Sequence, residues 1–270
     1  MNIKKTIKAI VLAAVPLAGA VATFSSCSNI DESERLIYVE PAKAARNVLI
    51  EDFTGQRCVN CPKGAEAIHE MQEVFGESVI AVAIHCGPFG GLSAKNQGLM
   101  NDTGKEYWNA WFSSSQGQPV AKINRGAASE SYNDWSNLVR KEMEKSTDVK
   151  INAAIDYDNK GNVSIYLNTI ANAGRKAKLQ VWITEDNITA PQDMPDGTRN
   201  REYVHQHVFR AAVNGTWGED ITYGEQWIEK TYTYSIDETW NAENLNAVIF
   251  VYDNDGVQQV VQEKVSFYNE

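Results

Sequence analysis

No feature of this sequence narrows the possible folds as much as Cys58-Val59-Asn60-Cys61, which stands between the apolar run Val48-Leu49-Ile50-Glu51-Asp52-Phe53 and a helical pattern opening near Pro62. A CxxC pair alone says little. At a strand-to-helix junction, followed by a helix and a second apolar strand, it is the arrangement that makes one sulfur a nucleophile. The helix has Pro62 in its first turn, Ala65, Ile68, Met71 and Phe75 on an apolar face, Glu66, Glu70 and Glu73 toward water, and Gly76 as its stop. Residues 79–84 are a nearly continuous apolar run, the mark of a parallel strand buried on both faces. Strand, helix and strand at this spacing predict a βαβ unit.

Gly87, Gly90 and Gly91 mark a loop, after which Tyr107-Trp108 and Trp111-Phe112 suggest a short helix. These aromatics either pack an insertion onto the domain, the favoured reading, or line a groove beside the cysteines. Residues 118–123 return to strand, and a helix from Ser131, capped through Ser-x-x-Asp134, carries Trp135, Leu138, Val139 and Met143 toward Ser146. Beyond Asp148 the pattern becomes alternating. Val149, Ile151, Ala153 and Ile155 lead to a turn at 158–161, then Val163, Ile165 and Leu167, then Leu179, Val181 and Ile183, with further runs near Tyr232-Tyr234, Val248-Phe250 and 257–267. That texture argues for an antiparallel β-sandwich of Ig-like type. The expected fold is therefore α/β plus all-β, with residues 47–146 in the first domain and 147–270 in the second.

The start of the chain is an address. Lys4, Lys5 and Lys8 precede an apolar run from Ala9 to Phe24, broken by Pro16, and Ser25-Ser26 lead to Cys27. This is a secretory signal over 1–26, too short and broken for a membrane span. Phe24-Ser25-Ser26-Cys27 resembles a bacterial lipobox, which implies acylation of Cys27 and a lipid anchor; the alternative is plain secretion with a leftover thiol. Two or three acyl chains, at about 0.8 kcal/mol per buried methylene, hold a protein where one does not. Residues 27–46 read as an acidic tether, and Asp31-Glu32-Ser33-Glu34 is either a solvated linker or a surface-export signal. The formal charge is −10, and losing the signal lysines deepens it, so nucleic acid is excluded as a partner. The expected location is the cell envelope, lipid-anchored at the outer membrane, facing the periplasm or the exterior.

With Cys27 acylated, Cys58, Cys61 and Cys86 remain, and Cys86 is the simplest leftover thiol. Cys58 near a helix N-terminus, with Arg57 beside it, is the expected nucleophile, and Cys61 the resolving thiol. A carboxylate beneath the pair can shuttle the proton. Asp52-Phe53, six residues before Cys58, and Pro119, entering a strand after the insertion, together resemble the thioredoxin superfamily. That resemblance implies a thioredoxin-like domain, Asp52 as proton relay, and a cis Pro119 that binds an extended peptide with Gln118. Arg57 replaces the usual tryptophan, the inner dipeptide is Val-Asn, and the gap to Pro119 is long, so the redox potential does not follow from the resemblance. A resemblance over nearly the whole mature chain rests on Phe53-Thr54-Gly55-Gln56-Arg57-Cys58-Val59-Asn60-Cys61-Pro62-Lys63, on Ala83-Ile84-His85, and on Arg210-Ala211-Ala212-Val213-Asn214-Gly215 with Trp217-Gly218. These look like the lipoprotein family related to outer membrane protein 28, which implies a lipid anchor, a thioredoxin-like domain and a C-terminal β-domain rather than a defined activity.

Other constellations are weaker. Zinc through Cys58, Cys61, Cys86 and His85 is disfavoured because neighbouring strand residues point apart. His205-x-His207 could offer two imidazoles on one strand face, but ordinary hydrogen-bonded histidines are favoured. Asp156-x-Asp158-Asn159-Lys160-Gly161 is a hairpin turn, with Lys160 where a calcium ligand would stand. No nucleotide loop or serine elbow occurs, and no cofactor or metal is expected. The leading expectation is thiol–disulfide exchange with exported protein thiols or disulfides. The alternative is a non-enzymatic surface binding protein or adhesin, with the CxxC as a structural disulfide and an unidentified ligand on the β-domain.

Overall fold

In the computed structural model, which describes residues 44–92 and 98–267, the run before the cysteines is strand β1, Val48–Thr54, and all of its residues are buried. It is central in its sheet, which is why its apolar residues fall on both faces rather than on alternate positions. Strand β2, Val79–His85, lies parallel to it on one side, and β3, Val120–Ile123, antiparallel on the other. The two faces of β1 meet different cores. Val48 and Ile50 pack with Ile68, Met71, Trp135 and Val139 of two helices, while Leu49 and Phe53 pack with Tyr107, Trp108, Trp182, Phe209 and Phe250. The signal, Cys27 and the tether up to residue 43 lie outside the described residues.

Helix α1, Cys61–Phe75, begins one residue before Pro62 and ends at Gly76, whose φ of 59° suits a residue without Cβ. Its buried stripe is Cys61, Gly64, Ile68 and Met71; Ala65, expected inside, is exposed. The helix is rolled so that Gly64 faces inward, where a Cβ would stand 3.2 Å from Pro119 Cγ. Helix α2, Asp102–Trp111, is capped by the Asn101 side chain, which accepts from Gly104 N at 2.8 Å. Its Tyr107, Trp108 and Trp111 lie in the aromatic core, in agreement with the packing reading. After the short strand β4, Ala128–Ser129, helix α3 runs over Tyr132–Met143. Ser131 is its N-cap but makes no side-chain bond, and Asp134 N donates instead to the Ser131 carbonyl at 3.0 Å. Residues 146–147 leave the helix to pair with 44–45.

The alternating second half forms β5 (Lys150–Tyr157), β6 (Asn162–Ile170), β7 (Lys176–Glu185), β8 (Val208–Ala212), β9 (Glu219–Thr222), β10 (Ile228–Ser235), β11 (Leu245–Asp253), β12 (Gly256–Lys264) and β13 (Ser266–Phe267). Among the described residues these strands divide between two sheets. One continues the first half in the order β12-β11-β7-β8-β2-β1-β3-β4, with β9 beside β7; the other is β10-β6-β5-β13. The join is parallel, Val208 opposite Ala83. Alternation reports which face a residue takes, not which strand becomes its neighbour, so the change of texture at 148 coincides with no break in the sheet. The described residues accordingly cluster as one compact unit. The smaller sheet lays Val149, Ile151, Val163 and Ile165 against Leu179, Val181, Ala247 and Ile249 of the larger one. Gly256, at φ 94°, closes the β11–β12 turn against Asn124, whose carbonyl a Cβ would meet at 2.3 Å.

Candidate functional site

Cys58 and Cys61 are joined as a disulfide at the mouth of α1. Cys61 is the first helical residue and its N–H donates to the Cys58 carbonyl at 3.2 Å, while Cys58 N donates to Gly55 O at 3.0 Å. Cys58 therefore sits in a turn ahead of the helix rather than on its free N–H groups, and it is 4% exposed against 2% for Cys61. The two sulfurs are therefore almost equally covered. Two segments close the turn. The loop after β2 lies across Gly55, where a Cβ would fall 2.2 Å from Phe89 O, and Arg57 N donates to the same carbonyl at 3.0 Å. From the other side comes the excursion between β7 and β8, built on the antiparallel pairs 188–189 with 204–205 and 192–193 with 199–200. Its Gln192 Nε2 donates to Cys58 O at 3.0 Å and Gly55 O at 3.2 Å, and Gln56 Nε2 donates back to Pro191 O at 3.1 Å.

Asp52, on the α1 face of β1, is 2% exposed, and its Oδ1 has no protein partner. Burial without a neighbouring cation lifts its pKa to about 8, so it carries a proton at neutral pH. It shares with Cys61 the lining of a cavity of about 420 Å³ between α1, β2 and the excursion. His85 and His205 line it too, 3% and 5% exposed, with ring centroids 5.2 Å apart and one nitrogen each, Nδ1 and Nε2, without a partner. Burial lowers the pKa of both, that of His205 to about 4, so both rings are neutral at pH 7. Cys86 is a free, buried thiol whose pKa is pushed up first by burial and then by Asp52. It is the leftover cysteine.

The other expected site residues divide. The Gln118–Pro119 bond is cis, and Pro119 is buried beside Gly64, one turn into α1. Gln118 Nε2 donates to Thr54 O at 2.8 Å and Cys86 O at 3.0 Å, and its Oε1 accepts from Phe89 N at 3.2 Å, so it ties the end of β1 to the covering loop. Arg57 is exposed and its guanidinium is bonded to the Pro88 carbonyl. His205 and His207 both border the cavity but are not two positions of one regular strand. His207, at φ 57°, turns out of the strand to Asp186, 3.1 Å from its Nδ1, and to Gln72 Oε1, 3.2 Å from its Nε2. Among the described residues no group of three or more His, Cys, Asp or Glu is placed to hold a metal ion. Sequence reasoning missed Gln192 and Tyr203. Neither carries a local signal, since both reach the site only through the long-range return of the excursion.

On the opposite face of β1, Glu51 is fully buried and paired with Arg125 at 3.2 Å. The guanidinium lies 4.0 Å from the Tyr252 ring centroid and 4.8 Å from that of Phe250. Rings of this kind supply negative potential where water cannot.

Fold and site together define a class: a protein with a buried CxxC disulfide at the strand-to-helix turn of a mixed sheet, and a second β layer packed on that sheet. The family model for outer membrane protein Omp28 matches residues 104–268, and the chain belongs to that family. Among solved structures, HBP35 of Porphyromonas gingivalis is similar in fold, with a TM-score of 0.67 and 17% identity over 82% of this chain and 76% of that one. A domain of the outer membrane lipoprotein Omp28 from Porphyromonas gingivalis is 26% identical over 46% of this chain and 92% of that one, with a TM-score of 0.35. No curated protein sequence matches the chain. Its place is the outer membrane or cell surface, and among the described residues no helix is long and apolar enough to cross a membrane.

Proposed function

We propose that this lipoprotein, anchored through Cys27, exchanges thiols and disulfides with exported proteins, using residues 47–146 as a thioredoxin-like domain and 147–270 as an Ig-like β-sandwich that binds or positions the partner. The observation that carries the reading is Asp52. A buried carboxyl without a cation costs stability, and enzymes accept that cost where a proton must move near neutral pH. In the reduced protein the Cys58 thiolate attacks a client disulfide, forming a mixed disulfide and expelling one client thiolate. Asp52, in the ionised form that a pKa of about 8 leaves as a minority at neutral pH, takes the proton of Cys61. The Cys61 thiolate then attacks Cys58 Sγ, the Cys58–Cys61 bond forms, and the second client thiolate leaves. The dithiol is oxidised by two electrons and the client disulfide reduced by two. The Gln192 contact must open for a client to reach Cys58.

The near-complete burial of Cys58 favours a second reading, in which the disulfide is a structural clamp in a non-enzymatic binding protein. Trapping separates the two. The Cys61→Ser variant, reduced and mixed with a disulfide-bonded test protein such as insulin, is expected to accumulate a mixed disulfide at Cys58 that the Cys58→Ser variant does not form. No adduct under conditions where a small alkylating reagent labels Cys58 would leave only the clamp.

A further inference from the structure

The cavity beside Cys61 holds more unmet polar chemistry than exchange requires. Asp52 Oδ1, His85 Nδ1 and His205 Nε2 all belong to side chains that line it, all are buried, and none has a protein partner. Buried polar atoms without partners cost on the order of 1–3 kcal/mol each, so three around one space are a site rather than an accident of packing. The space of about 420 Å³ falls in the range of small-molecule pockets. An apolar stretch of wall, Ile68 on α1 with Ala81 and Ala83 on β2, faces these atoms, and polar side chains such as Gln72 and Gln206 complete the lining. Tyr203 closes one side, with its ring centroid 4.7 Å from that of His205.

The charge balance inside selects the ligand. Around neutral pH the carboxyl of Asp52 is protonated and both imidazoles are neutral. His207, which borders the cavity, stands against Asp186, and Glu66 and His69 border only its open side, from the exposed face of α1. An ion moving past that rim to Asp52, His85 and His205 would shed its hydration and meet no opposite charge at the buried end. We propose that this cavity binds a small uncharged organic molecule, with hydroxyl or carbonyl groups set against Asp52, His85 and His205 and an apolar body against Ile68, Ala81 and Ala83. The site does not depend on exchange, because the disulfide can stay closed throughout.

The test uses the oxidised mature chain without its lipid, titrated at pH 7 by calorimetry and NMR with 2-naphthol, 2-naphthoate and 2-naphthylmethylammonium. The expected result is saturable binding of 2-naphthol that shifts the ring resonances of His85 and His205, with both ions at least about tenfold weaker. Ala83→Leu, which fills the cavity, is expected to abolish binding. Asp52→Leu, which keeps the volume and removes the polar group, is expected to weaken it about tenfold. Equal binding of the three probes, no binding of 2-naphthol, or full binding to both variants would overturn the proposal. If 2-naphthol fails while Cys61→Ser still traps a client, the pocket alone is refuted; the reverse outcome refutes exchange alone.

Discussion

Glu51 and Asp52 are adjacent carboxyls on one strand, equally buried, and they have opposite fates. Alternation sends Glu51 to the aromatic face, where Arg125 meets it at 3.2 Å and burial raises its pKa against the pull of that cation. Asp52 goes to the helix face and meets a cavity, the disulfide and two neutral histidines, with no cation. Burial alone thus does not mark a functional carboxyl; burial without compensation does. One residue of register separates a carboxylate that fastens the sheet from one whose proton is available near neutrality.

The comparison makes predictions of decreasing size. Arg125→Ala should destabilise the chain by about 3–5 kcal/mol in urea unfolding, because it strands Glu51. The shape-conserving pair Glu51→Leu with Arg125→Met should recover most of that loss; no recovery would mean the two side chains do not act as a pair.

Asp52 should behave in the opposite way. In the folded chain it keeps its proton up to about pH 8, against 3.8 for an ordinary Asp, so stability falls as pH rises from about 4 to about 8 and levels off above. Asp52→Asn removes that fall. Its stability should therefore exceed that of the parent at pH 9 by about 5 kcal/mol and match it near pH 4, while thiol exchange slows about a hundredfold. Parallel stability curves from pH 4 to 9 would show that Asp52 has a partner after all.

The disulfide closes so short a loop that replacing both cysteines with serine should cost only about 2 kcal/mol. A loss beyond twice that, by thermal unfolding, would favour the clamp. Gln192→Ala should be the mildest, about 1 kcal/mol, yet it should speed reduction of the disulfide by small thiols several-fold if the excursion is what covers Cys58.

The helix-face half of this comparison was legible in the sequence. The strand, the CxxC, Asp52 and Pro119 are local signals at fixed spacings, and each falls where the spacing put it. Ala65 was misplaced by one helical position because an alanine and a glycine give nearly the same periodic signal, and only the contact of Gly64 with Pro119 decides the roll. The compensated half was not legible. Glu51 and Arg125 are 74 residues apart, Arg125 lies in a turn after β3, and nothing local couples them. The same holds for Gln192 and His205, which return to the disulfide only because β8 joins β2. Long-range strand partners decide these contacts, and hydrophobic alternation carries no record of partner identity.

The reduction potential of Cys58–Cys61 decides between an exchange catalyst and a clamp. The purified mature chain would be equilibrated in graded thiol buffers and its free thiols trapped for mass analysis, with Asp52→Asn run alongside. An exchange catalyst with Asp52 as its proton carrier should show a midpoint between about −120 and −270 mV for the parent chain, and slower equilibration for the variant. A bond that stays closed below about −300 mV, with parent and variant alike, would contradict that role and leave the disulfide as a clamp.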